Sequence, residues 1–141
     1  NGRAEESIAF HRRSLELAPN QPLLQTNLAR ALIQARGRRG ADEAIELLQL
    51  VTAAEPDNAF AWRELAQARN ERGEEALAEL ASAEQSFALG DYGLALSFAE
   101  RARRTLPAST PDYQRAADIV TFAGAEVRER MREQGGGRRP G

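Results

Sequence analysis

Thr52-Ala53-Ala54-Glu55-Pro56-Asp57-Asn58-Ala59-Phe60-Ala61-Trp62-Arg63-Glu64-Leu65-Ala66 is the stretch on which the fold turns. Its first three residues close a helix, and Pro56-Asp57-Asn58 breaks the chain. Trp62, Leu65, Ala66 and Ala68 then recur at helical spacing. Outward from there, Gly and Pro cut the rest of the chain at similar intervals. Helices are predicted over about 4–18, 22–35, 42–54, 59–72, 75–89, 91–106 and 110–133. Pro22 falls in a first turn, where its missing N–H costs nothing. Asp91 suits an N-cap. Gly37-Arg38-Arg39-Gly40 reads as a loop, and Gly135 to Gly141 as a tail without helical or strand signal. Ala, Leu, Glu, Arg and Gln favour helix, while sparse aromatic and β-branched residues argue against strands.

Composition limits the chemistry. The chain has 141 residues, 42% hydrophobic and 28% charged, which suits one folded domain rather than a disordered chain. Cys is absent and His occurs once, so thiol nucleophiles and His/Cys zinc sites are excluded. All 19 cations are Arg, which excludes a Schiff-base or phosphate-loop Lys. A net charge of −2 argues against a dedicated nucleic-acid binder. No stretch approaches the length of a membrane span. Neither a cofactor nor a metal is expected.

Three helices end alike, at Pro19, Pro56 and Pro107. Twelve, eight and five residues before each proline stand Ser7/His11/Ser14, Ala44/Leu48/Val51 and Ala95/Ala99/Ala102. Small residues in such a frame let helices cross closely. The pattern resembles the tetratricopeptide repeat, a pair of antiparallel helices of about 34 residues with Pro after the second. Trp62-x-x-Leu65-Ala66, Leu28-Ala29-x-x-Leu32 and Gly90-Asp91-Tyr92-x-x-Ala95 carry the resemblance. It implies an all-α, right-handed α-solenoid of about seven helices. The register is uneven. Pro19 and Pro56 stand 37 residues apart, Pro56 and Pro107 stand 51 apart. The second step is one and a half periods, so the helix near Glu75 is expected to serve in place of a pair. The chain opens on a second-type helix without its first, which predicts a repeat domain over 1–133, cut from a longer protein, and a Gly/Arg-rich tail over 134–141.

A finer resemblance rests on Gln21-Pro22-Leu23-Leu24-Gln25-Thr26-Asn27-Leu28-Ala29, on Ala59-Phe60-Ala61-Trp62-Arg63-Glu64-Leu65-Ala66 and on Ser109-Thr110-Pro111-Asp112-Tyr113. Together they resemble the C-terminal repeat region of bacterial periplasmic zinc metallopeptidases, the family that includes the β-barrel assembly-enhancing protease. The family's H-E-x-x-H motif is absent from this chain, so no catalytic residue carries over. The resemblance implies a non-catalytic module in the periplasm that binds protein segments, with an upstream protease domain of the same chain as a second partner. The rival readings are a stand-alone scaffold in pilus or secretin assembly and a helical hydrolase. The acidic residues argue against the hydrolase, because they pair with Arg at helical spacing, as Glu100 with Arg103 and Arg104.

In the repeat frame the first-type helices line a concave face. Its candidate peptide-groove residues are Thr26, Asn27, Arg30 and Ile33, with Leu23 beside them, and Phe60, Arg63, Gln67 and Asn70. Asn offers a donor and an acceptor to a peptide backbone, and Arg forks onto a carboxylate. Trp62 reads as core. Arg36, Arg38 and Arg39 read as a basic loop. The opening helix, with Ile8, Phe10, Leu15 and Leu17, and a second stripe of Ile119 and Phe122 on the last helix predict self-association through the ends.

Overall fold

A computed structural model describes residues 2–136. It contains α1 (Gly2–Leu17), α2 (Pro22–Arg36), α3 (Arg38–Ala54), α4 (Ala59–Glu71), α5 (Glu75–Ala88), α6 (Tyr92–Thr105) and α7 (Pro111–Gly136). The all-helical class and the count of seven agree with the sequence reading, and no strand occurs among the described residues. Local chemistry sets the starts. The Asn58 Oδ1 accepts from the Ala61 N–H at 3.0 Å, and the Asp91 Oδ1 from the Leu94 N–H at 3.2 Å. The Thr110 hydroxyl oxygen accepts from the Tyr113 N–H at 3.2 Å. Each satisfies a donor that the first helical turn leaves without a partner.

One connection departs from the expectation. The chain turns at Gly37 alone, with φ 53° and ψ −126°, and α3 starts at Arg38 instead of Asp42. Gly40 is not a loop residue. A Cβ there would lie 2.4 Å from the Leu32 carbonyl oxygen, so glycine is what lets α3 lie against α2. The three residues beyond one period therefore lengthen α3 rather than a loop. The basic loop dissolves with it. Arg36 closes α2 and pairs with Glu5 at 2.9 Å, while Arg38 and Arg39 stand exposed in the first turn of α3. At the other end, α7 continues through Gly135 and Gly136. Residues 137–141 of the expected tail lie outside the described residues.

Each helix packs against the next. In addition α2 touches α4 and α5 touches α7. No other non-consecutive pair brings its backbones together among the described residues. The interior has two apolar clusters. The first gathers Ile8, Leu28, Leu32, Leu48, Val51 and Leu65, and the second Leu80, Ala95, Ala99, Ala116, Ile119 and Ala123. Helix α5 belongs to both, with Ala81 in the first and Leu80 and Ala83 in the second. Three helices, α4 to α6, lie between Pro56 and Pro107, as the 51-residue step requires. The small-residue frame is fully buried in α3 and α6. In α1 it is not: Ile8 is the buried residue, and Ser7, His11 and Ser14 are half-buried.

The ends differ from each other. Phe10 and Leu17 of α1 are 59% and 89% exposed. Of the second stripe on α7, Ile119 is buried, and the Phe122 ring meets those of Phe87 and Tyr92 on one side only. The stripe that motivated an interface at this end is thus half used: Ile119 is covered within the chain, while Phe122 stays 49% exposed.

A bidentate pair ties α1 to α3, with Arg12 donating to both Glu43 oxygens at 2.5 and 2.9 Å. The hydrogen bonds from Arg12 hold the Glu43 carboxyl below the usual carboxylate range, against the opposing effect of burial. A native pKa below the unfolded one stabilises the fold fully above the unfolded value, and that contribution is lost as pH falls through the native value. Both side chains are about 40% exposed, so screening keeps the pair under about 1 kcal/mol. Arg12→Ala is expected to cost less than about 1 kcal/mol at neutral pH and to leave acid unfolding less steep below the ordinary carboxylate range, read by circular dichroism across pH. Parallel acid limbs in the two proteins would contradict this.

Candidate functional site

The predicted groove residues come from α2 and α4, and these two helices touch. Arg30, Phe60, Arg63, Gln67 and Asn70 are exposed, and Asn27 is half-buried. Ile33 packs against the first apolar cluster. Thr26 is removed from the surface: it is 1% exposed and its hydroxyl donates to the Pro22 carbonyl at 2.8 Å. A threonine inside a helix commonly bonds back in this way, which the repeat frame did not anticipate.

Five polar side chains on this stripe are uncommitted. Among the described residues, Asn27, Arg30, Arg63, Gln67 and Asn70 form no side-chain hydrogen bond or ion pair. Other exposed arginines share this state: Arg3, Arg13, Arg38, Arg39 and Arg104 also form no side-chain hydrogen bond or ion pair among the described residues. Arg12, Arg36, Arg69, Arg72, Arg115 and Arg132 each reach a carboxylate. Three free amides and two free guanidinium groups on adjoining helices offer donors and acceptors to an extended backbone and forks to a carboxylate.

A second feature was not legible as a site. A cleft of about 500 Å³ opens between α3, α4, α5 and α7. Each helix contributes one stripe: Gln49, Thr52 and Ala53 from α3, and Trp62, Leu65 and Arg69 from α4. The far wall is Leu77, Leu80, Ala81 and Glu84 of α5, with Asp112 and Arg115 of α7. A smaller hollow of about 320 Å³ continues it past Pro56 and Asp57 to Phe87 and Ala88. None of the predicted groove residues lines either space. Trp62, read as core from the sequence, is only half-buried and forms part of the wall. The 51-residue step was the signal for this place, because it marks where the helix pairing changes.

Most polar groups of the cleft are already satisfied. The Arg115 guanidinium donates twice to Glu84 Oε1, at 2.8 and 2.5 Å, joining α7 to α5. Glu84 is largely buried, so this pair neutralises a carboxylate that would otherwise be costly there. Arg69 pairs with Glu74 at 3.1 Å, and Arg72 bridges Glu74 and Asp42. The Trp62 indole N–H donates to the Pro56 carbonyl at 2.8 Å, as the Gln25 amide does to Pro19 at 3.2 Å. Those two bonds are 37 residues apart, in step with the prolines. Thr52 donates to the Leu48 carbonyl at 3.0 Å.

No group of three or more His, Asp or Glu placed to hold a metal ion is found among the described residues. No described helix is long and apolar enough to cross a membrane. Compared with known proteins, the chain matches no family model, and no curated sequence matches it.

Proposed function

We propose that this chain is a non-catalytic protein-binding domain, an α-solenoid of tetratricopeptide type that holds extended protein segments along α2 and α4. The observation that carries the reading is the set of five uncommitted polar side chains on two touching helices. These three amides and two guanidinium groups are not spent on holding the fold together, so their donors and acceptors are open to a ligand. The paired prolines and the repeated Gln25 and Trp62 bonds support the repeat assignment. The right-handed stacking and the periplasmic setting beside a zinc metallopeptidase belong to the same proposal. They rest on the quoted segments alone, which imply outer-membrane proteins or their assembly machinery as the bound partners.

The test is an array of immobilised peptides tiled from outer-membrane β-barrel proteins, probed with the labelled domain and with a variant carrying Asn27→Ala, Arg63→Ala and Asn70→Ala. Peptides held by the parent are expected to bind the variant at least about tenfold more weakly, in line with the loss of two or three hydrogen bonds, some of them charged. Equal binding by both proteins, or none by the parent, would remove the proposal.

A further inference from the structure

The cleft between α3 and α5 differs from the α2 and α4 stripe in chemistry, and that difference says what each can hold. An extended segment needs partners for its backbone N–H and C=O groups. The cleft has few to give, chiefly the Gln49 amide and the Asp112 carboxylate, neither bonded within the chain among the described residues. Its indole N–H, its Thr hydroxyl, both its guanidinium groups and Glu84 are bonded within the chain. Leu65, Leu77, Leu80, Ala81 and the Trp62 ring supply an apolar lining. With so few partners for a long stretch of backbone, the cleft suits an occupant that satisfies its own, and an α-helix does so. The walls also have helical form. Trp62, Leu65 and Arg69 on α4, and Leu77, Leu80, Ala81 and Glu84 on α5, are stripes at helix spacing into which another helix's side chains interdigitate.

The charge at the mouth selects among helices. Asp57 and Asp112 are exposed and form no side-chain hydrogen bond or ion pair among the described residues. They stand on either side of the closed Arg115–Glu84 pair, Asp112 on the larger space and Asp57 on the smaller one that continues it. Two free carboxylates beside an apolar lining complement a cation next to an apolar stripe. We infer that this cleft is a second docking surface, and that it receives an amphipathic helix of a partner protein whose apolar stripe is flanked by Lys or Arg. The site is separate from the α2 and α4 stripe and does not depend on it. It lies where the helix pairing changes, between α3 and α5, whose backbones do not come together.

Trp62 is the only tryptophan, so its emission reports on this cleft. The probe is a synthetic amphipathic helix with a Leu/Ala face bordered by Lys. Two controls accompany it, one with Glu for every Lys and one of the same composition with a central Pro. Titration of the full chain with the Lys peptide is expected to give a saturable blue shift of Trp62 emission. The Glu peptide is expected to bind about five- to tenfold more weakly, the scale of two exposed ion pairs. Asp57→Asn with Asp112→Asn should abolish that preference, and Leu77→Ser should weaken both peptides. Circular dichroism confirms that each variant is folded. The variant with Asn27, Arg63 and Asn70 changed to Ala should bind the Lys peptide unchanged, which separates this result from the test of the first surface. Each of the following overturns the inference: no shift, equal affinity for the Lys and Glu peptides, undiminished binding of the Pro peptide, or loss of binding in that triple variant. A blue shift on raising protein concentration without peptide also overturns it, because the occupant is then a second copy.

Discussion

Leu48→Ala is expected to lower stability by about 2–5 kcal/mol, the largest effect of any single truncation named here. Leu48 is wholly buried in the cluster shared by α1 to α5, and it sits at the crossing position of the repeat frame, eight residues before Pro56. Removing the isopropyl end of its side chain forfeits transfer energy and leaves a cavity that Leu28, Leu32 and Val51 of the same cluster fill only in part. Domains of this size are typically stable by about 5–15 kcal/mol, so the variant should unfold at much lower urea with an unchanged slope. A loss below about 1 kcal/mol would mean that the first cluster is not packed as described.

Ala99→Leu is the second, and it acts by excess instead of loss. Ala95, Ala99 and Ala102 are all fully buried, and they face Ala116 and Ala123 of α7 across the second cluster. Alanines on both sides set the helix spacing, and a leucine at Ala99 must push α6 from its neighbours at a cost of about 1–3 kcal/mol. The consequence reaches further. Helix α5 is shared by both clusters, so the halves should unfold together, and the Trp62 transition in the first half should move with a change made in the second. Urea unfolding followed by Trp62 emission and by far-ultraviolet circular dichroism decides it. Coincident, shifted transitions are expected, whereas an unmoved Trp62 transition would show two independently stable halves.

What the sequence discloses here is whatever local chemistry determines. Helix starts at Pro22, Asn58, Asp91 and Thr110 were readable because a ring or a side-chain oxygen acts within three residues of itself. The start of α3 was not. Two glycines four residues apart look like a loop, but Gly37 makes the turn and Gly40 makes room for the Leu32 carbonyl of another helix. Thr26 failed as a surface residue because it is buried and its hydroxyl closes on its own helix at Pro22. The exposed members of the α2 and α4 stripe were named from the repeat frame, whereas their lack of internal partners was not legible. The cleft needed three dimensions, because its walls come from α3, α4, α5 and α7. Ile119 and Phe122 show the converse. A second stripe on a terminal helix suggested an outside partner, and α5 and α6 take up Ile119 and one side of Phe122.

Binding along α2 and α4 is the central claim, and the side-chain amides of Asn27, Gln67 and Asn70 report on it without a label that perturbs them. In a nitrogen–proton correlation spectrum of the folded chain, titration with a peptide selected on the array is expected to shift these three amide pairs together, with one dissociation constant. The Asn20 amide, outside the stripe at the α1–α2 turn, should stay in place. A bound peptide that leaves the Asn27, Gln67 and Asn70 amides unmoved would contradict the account.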